Sequence, residues 1–485
     1  MSDYDSIAET LTRMRPLNLS EVKGPKILSI NVGSSGSNLQ FSSLDSSKLK
    51  IDKMSGPAVP PTSTFNPETD SLHASMRPII MLAQCFSLFP VTGVNSPNAS
   101  HLRFTWRSPK FIYCAISFLG SSMMTIFNVL RITGISSTGI TSTKMTTLVF
   151  NGTNLIATFL FLKLAMQWPS LMITWDKLEK ELSTRHRKLS NTTLSAKFKI
   201  ITIVVMIIAL VEHSFSILHG YIRAKECAQF RGDPDIIGVY FQSQFPQIFS
   251  RISYSLWKGI LIDIINILST FSWNFVDLFL ILISIALADQ FRQLNSRLYS
   301  IRGKCHFIVK AMPEWWWAEA RSDYNRLANL TRQLDSHISM MVLLSFATDL
   351  YFICIQLLFS FNPMRGIVEK IYFGFSFGFL LARTMVVSLC AASIHDESLL
   401  PAPILYSVSG SSFSTEVMRF LSQVTTDSIC LTGMKFFSVT RSLVLTVAGT
   451  IVTYELVLVQ FNSVQQNDTM NSTKVCESYS LDTLR

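Results

Sequence analysis

Ionisable and amide side chains inside strongly apolar segments are costly to bury in lipid, so they mark where chemistry is expected in a greasy chain. Four apolar runs carry such residues: Glu212 and His213 in the first; Trp273, Asn274 and Asp277 in the second; Asp349, Tyr351 and Gln356 in the third; Tyr372 and Arg383 in the fourth. Carboxylates hydrogen-bond hydroxyls more strongly than neutral groups do. Amides both donate and accept, and aromatic faces cover the C–H side of a ring. The set therefore suits a small neutral polyol. Each residue alone also has a structural explanation. Glu212 and His213 can satisfy each other, Arg383 can pair with Asp396 or a carbonyl, and Asn274 and Asp277 can serve the architecture. The residues by themselves leave both readings open.

A second pattern lies near the end of the chain. Ser442 to Phe461 is a run of 20 residues whose one charge is Glu455, long enough to cross a hydrocarbon core of about 30 Å as a helix. At about 100° per residue, Thr446, Thr450, Thr453, Val457 and Gln460 fall on one face. Tyr454 and Phe461 flank that stripe, and Glu455 points away from it. A membrane helix with one narrow polar stripe either hydrogen-bonds to neighbouring helices or lines water.

Positioning these groups requires a membrane scaffold. In 485 residues only 15% are charged, while 35 are Phe and 19 Met, which favours one polytopic membrane domain over several globular ones. The net charge of +10 sits in loops between apolar runs, as topology signals do, and no basic aromatic groove points to nucleic acid. No P-loop, GxSxG or HExxH occurs, and no His pair has helical spacing. An enzyme, a cofactor and a metal site are therefore not expected. The eight cysteines show no CxxC spacing, and several read as small core residues.

The fold class expected is an all-α polytopic membrane protein with seven transmembrane helices. These fall near 110–132, 144–166, 198–220, 264–289, 337–361, 370–394 and 436–461, inside a domain covering 71–461. Residues 1–70 read as a disordered cytoplasmic tail without a signal peptide, and 462–485 as an extracellular tail. Met76 to Val94, apolar but short and broken by two prolines, suits an interfacial or re-entrant helix. Lys and Arg cluster before span one, between two and three, and between four and five, which places the N-terminus in the cytoplasm and the C-terminus outside. Glu212, His213, Tyr351, Gln356 and Tyr372 then fall in the outer half of the membrane, with Asp277 and Asp349 near its middle. Cys227 and Cys476 would both be external, and their pairing stays open. The polar stretch after Trp315, Trp316 and Trp317 predicts a solvated helical extension running into span five. Ser414 to Ile429 predicts a short helix with Val417, Phe420, Leu421 and Val424 on one face.

The residues Thr453-Tyr454, five more, then Gln460-Phe461 resemble the TYhhhhhQF signature that closes the last helix of insect gustatory receptors. The preceding GMKFFSVTRSLVLTVAGTIVTYELVL and the WNFVDLF segment at 273–279 resemble the sugar-receptor branch. Glu455 departs from the strict pattern and fits that branch. The resemblance covers about residues 75 to 461. It implies a tetramer in which one last helix per subunit surrounds a central pore, with a cytoplasmic anchor from about 290–336 and 395–435. Thr453, Tyr454, Val457, Gln460 and Phe461 would then form the pore and gate. It further implies a sugar-gated, weakly selective channel for monovalent cations and calcium, as a homotetramer or a heteromer with related receptors, in the plasma membrane of chemosensory neurons. A seven-helix G-protein-coupled chemoreceptor is the alternative. It is disfavoured by the orientation and by the lack of DRY and NPxxY motifs. A transporter is disfavoured because no internal repeat is visible.

Overall fold

The computed structural model describes residues 70–133, 142–183, 193–301, 312–360 and 366–464. The predicted tails, at 1–69 and 465–485, lie outside these residues. Helix α1 (Leu72–Cys85), capped by Ser71, buries Leu72, Met76, Ile79, Ile80 and Ala83. A short hairpin (β1 Val91–Thr92, β2 Arg103–Phe104) connects it to the first long helix. The long helices are α2 (Pro109–Thr133), α3 (Ser142–Ser183), α4 (Leu194–Arg231), α7 (Leu256–Ser300), α8 (Glu314–Ser360) and α9 (Ile367–Leu399). Two short helices, α5 (Ile236–Gln244) and α6 (Pro246–Phe249), bridge α4 and α7. After α9 come α10 (Pro401–Tyr406), α11 (Thr415–Thr426), a second hairpin (β3 Thr432–Gly433, β4 Phe437–Ser438) and α12 (Arg441–Val464).

Among the described residues, six helices are long and apolar enough to cross a membrane: α2, α3, α4, α7, α8 and the run from α9 through α10. Helix α12, 24 residues long, stands apart from these six. Helix α7 is the axis of the bundle, because 89% of its most apolar window is buried. The segment Phe271 to Ala288 is apolar almost all round, as a helix with no solvent- or lipid-facing side must be.

The spans extend further than hydropathy predicts. Helix α3 continues 17 residues past the predicted edge at 166, through Pro169, and α8 begins 23 residues before its edge at 337. Hydropathy windows detect lipid contact, whereas these extensions are held by packing on one another. Their core contains Trp168, Trp175, Phe291, Trp317, Tyr324 and Phe420, all less than 2% exposed. The extension after Trp315 is therefore not simply solvated: Trp315 is exposed, but Trp316 and Trp317 are buried. Helix α11 docks on it with Val417, Phe420 and Val424 buried and Leu421 half-buried. Arg321 of α8 donates to Glu416 at 2.8 Å and, as the main cause, holds that carboxyl below its usual range. The seventh predicted span also begins later, at Arg441, because residues 432–438 pair as a hairpin.

One carboxylate ties α1 to this core. Glu179 of α3 is 4% exposed, accepts from the backbone N–H of Leu72 at 3.2 Å and from Gln290 of α7 at 3.1 Å. Replacing Glu179 with Ala orphans a buried donor on each neighbour, at a cost of about 1–3 kcal/mol apiece. Thermal unfolding of the detergent-solubilised variant is expected several degrees below the parent. An unchanged transition would mean that α1 is held elsewhere.

Candidate functional site: a polar column between the long helices

Four of the residues picked out by sequence converge on Arg383 of α9. Its Nε lies 2.7 Å from Asp277 Oδ2 and its Nη2 lies 3.3 Å from Asp349 Oδ1. Nη1 donates to Asn274 Oδ1 at 2.5 Å, and the guanidinium sits 4.3 Å from the Trp273 ring centre. Ser345 donates to Asp277 at 2.6 Å, and Thr384 to Asp349 at 2.8 Å. Asn274, Asp277 and Asp349 are each 1% exposed. Arg383 thus pairs with neither Asp396 nor a backbone carbonyl; the carbonyl oxygen it meets is the Asn274 side-chain amide's. Asp396 instead meets Arg441 of α12 at 2.5 Å.

A second group is formed by the arms of α4, α8 and α9. Ser376 donates to Glu212 at 2.9 Å and accepts from Gln356 at 3.5 Å, so Glu212 is satisfied across the bundle and not by His213. Tyr372 donates to Ser216 at 3.3 Å and stacks on His219 at 5.3 Å. The Tyr351 hydroxyl, Gln356 Oε1 and His219 Nε2 are buried with no hydrogen-bond partner among the described residues. Buried polar atoms are nearly always paired, so such orphans call for a ligand or another explanation. Tyr372, Ser216 and His219 also line a cavity of about 300 Å³, together with Gly220, Arg223 and Gln244. That volume is at the lower end of small-molecule sites.

His213 is not brought into this group. One residue along the helix from Glu212, it turns about 100° away and packs on Phe271, ring centres 6.0 Å apart. Trp273 and Tyr351 pack in an aromatic cluster around Phe352, which Ile451 of α12 also touches. Sequence reading passed over Ser216, His219 and Ser376. The signal was present: Glu212, Ser216, His219 and Arg223 recur at steps of 4, 3 and 4, one face of a helix. Serines and a single histidine stand out less in an apolar run than paired acids do.

Helix α12 packs through one face. Leu443, Val444, Val447 and Ile451 are half-buried, while Thr446, Thr450, Thr453, Tyr454 and Val457 are exposed. The threonines do not reach neighbouring helices; each donates to the carbonyl four residues back at 2.9–3.0 Å. The side chains of Gln460 and Phe461 lie outside the described residues. Cys227 is disulfide-bonded and the other five described cysteines are free, so its partner also lies outside them, as does Cys476.

A buried Arg serving two carboxylates tolerates the loss of no member. Truncating one side of such a group leaves an uncompensated charge, typically costing about 3–5 kcal/mol. Arg383→Ala is expected to give little folded protein and a strongly lowered melting temperature. Gln356→Ala, which removes one long 3.5 Å contact, should fold normally. Equal melting of Arg383→Ala and the parent would contradict the network's structural role.

Comparison with known proteins agrees with the resemblance in the last helix. Residues 44–476 match the family model for the trehalose receptor. The gustatory receptor for sugar taste 64f of Drosophila melanogaster is 37% identical over 402 residues, covering 82% of each chain. The gustatory receptor 5a for trehalose, from the same fly, is 34% identical over 392 residues, covering 81% of this chain and 85% of its own. Among solved structures, the insect olfactory receptor OR5 from Machilis hrabei shares the fold with a TM-score of 0.58 at 11% identity, covering 80% of this chain and 97% of its own. The protein is thus a multi-pass membrane receptor and not an enzyme: it belongs to the trehalose receptor family of insect gustatory receptors.

Proposed function

We propose that this chain is a sugar-gated, weakly selective cation channel of the plasma membrane in chemosensory neurons, with the N-terminus cytoplasmic and the C-terminus outside. The observation that carries the ligand reading is the Glu212–Ser376–Gln356 group, with its unpartnered Gln356 Oε1, one turn along α4 and α9 from Ser216 and Tyr372, which line the cavity. A sugar there would donate charge-assisted hydrogen bonds from its hydroxyls to Glu212 and would meet the amide of Gln356 and the ring faces of Tyr372 and His219. The two named sugar-taste relatives support a saccharide over other polyols. Trp273, Asn274, Asp277 and Asp349 would form the floor of this site, fixed by Arg383, more than its contact surface. His213 would act through packing.

The channel reading rests on α12. Its packed face leaves the Thr446, Thr450, Thr453 and Val457 stripe uncovered, which suits seven spans per chain and four chains arranged around a water-filled axis. Rings of Val457 and Phe461 would close such a pore by dewetting, and Gln460 amides would replace ion hydration when it opens. With no acidic ring on the stripe, monovalent cations and calcium would both pass. Sugar binding favours the open arrangement only through tighter binding to it.

Whole-cell current under a sugar panel, with GTP signalling blocked, tests this reading in cells expressing the chain alone or with a related receptor. A rapid current is expected to survive the block. Gln356→Ala and His219→Ala should raise the half-maximal sugar concentration about tenfold or more, in line with the loss of one or two ligand hydrogen bonds. Gln460→Ala should alter ion selectivity without moving that concentration. A response abolished by the GTP block would favour the G-protein-coupled alternative.

A further inference from the structure

Helix α12 does not follow directly from α11. Between them the β3–β4 hairpin turns back through Met434 and Lys435, both with left-handed backbone (φ 50° and 63°). Two successive non-glycine residues in that region are strained, and such strain persists only where the surroundings over-determine it. The surroundings are on α8. Asp335 Oδ1 accepts from the Thr432 backbone N–H at 2.7 Å, and Oδ2 accepts from the Thr432 hydroxyl at 2.8 Å. The same hydroxyl accepts from the Lys435 backbone N–H at 3.4 Å. The carboxylate therefore grips the first strand, and through Thr432 it reaches the strained turn.

A second grip lies three turns along the same helix face, since 11 residues return a helix to nearly its starting azimuth. There Phe346 packs on Phe437 of β4, ring centres 5.5 Å apart. Phe437 in turn fills the space beside Gly433, where a Cβ would approach its ring to 2.3 Å. Val439, two residues before α12, closes the hairpin by donating its N–H to Leu431 at 2.9 Å. Helix α8 is continuous from Glu314 to Ser360. It thus holds the hairpin at Asp335 and carries Tyr351 and Gln356 toward its other end, about 24 and 32 Å away at 1.5 Å per residue.

Resting on the channel reading above, we infer that Asp335 is a positioning residue for gating: its bidentate hold on Thr432 makes the hairpin before α12 move with α8. A displacement of α8 on sugar binding is then passed to the start of the pore helix, because the hairpin has no freedom to slip. Without the grip, sugar binds as before while the hairpin yields.

The test uses the full chain, in whichever expression format passes current, and the most effective sugar of trehalose, sucrose, glucose and fructose. Surface expression, maximal sugar-evoked current and sugar-induced thermal stabilisation of purified protein are compared. Asp335→Asn and Thr432→Val are expected to lower the maximal current per surface receptor about tenfold, within the usual range of allosteric couplings. Stabilisation by the sugar should be unchanged. Thr432→Ser, which keeps the hydroxyl, should behave as the parent, and the Asp335→Asn/Thr432→Val double variant should be no worse than either single. Unchanged currents, additive losses in the double variant, or a parallel loss of current and sugar stabilisation would overturn the inference. The first two leave the channel reading standing. No sugar current from the parent in any format would overturn that reading, and the coupling with it.

Discussion

A guanidinium enclosed by two carboxylates, an amide and an indole is the constraint on which this bundle depends. Arg383 is 5% exposed and lies within apolar helices. Burying such an ion costs several kcal/mol unless it is closely paired. Nη1 and Nη2 donate to Asn274 and Asp349, while Nε and Asp277 Oδ2 form a 2.7 Å ion pair without hydrogen-bond alignment. That requirement fixes α7, which supplies Trp273, Asn274 and Asp277, against α8, which supplies Asp349, and against α9 itself. The relative height and rotation of these three helices are therefore set by one side chain. Shape-filling contacts alone would leave Phe- and Leu-rich helices free to slide.

With that floor fixed, the layer above it has unusual freedom. Glu212, Ser376 and Gln356 are joined by single contacts, one at 2.9 Å and one at 3.5 Å, and several nearby polar atoms have no described partner. A rigid base under an incompletely satisfied polar layer is a sound arrangement for ligand binding. In the proposed site a ligand would complete hydrogen bonds that the protein leaves unmade, while the base would keep the helices from collapsing to make them. Ile451 of α12 touches the same Phe352 cluster as Trp273, so the last helix contacts this region directly as well as through its hairpin.

Much of this was legible in sequence, and the failures are instructive. The acids and amides were visible because charge in an apolar run is rare. Their division between Arg383 and Ser376 was not, because it depends on where Arg383 points, and at sequence level Arg383 could pair with Asp396 or a carbonyl. His213 looked as good as Glu212, yet one residue along a helix separates facing Ser376 from facing Phe271. The α3 extension was under-read because lipid-facing hydropathy ends where helix-on-helix packing of Trp168 and Trp175 takes over. The α8 extension was expected as a helix but as a solvated one, whereas Trp317 and Tyr324 are buried. The hairpin before α12 was concealed in a segment, Phe436 to Val439, whose composition continues the apolar run. Only the pairing of Thr432 with Ser438 shows why the last helix begins where it does.

The central claim is that the uncovered stripe of α12 faces a water-filled pore. Single cysteines placed at Thr446, Thr450, Thr453 and Val457, and at the packed positions Val447 and Ile451, would test it most directly. Each variant would be exposed to a water-soluble thiol reagent during sugar-evoked current, with the parent's own response recorded. The account requires that reagent block current at the stripe positions, more quickly when sugar is present, and leave Val447→Cys and Ile451→Cys unaffected. Protection of the whole stripe, or block that ignores the helical period, would contradict it.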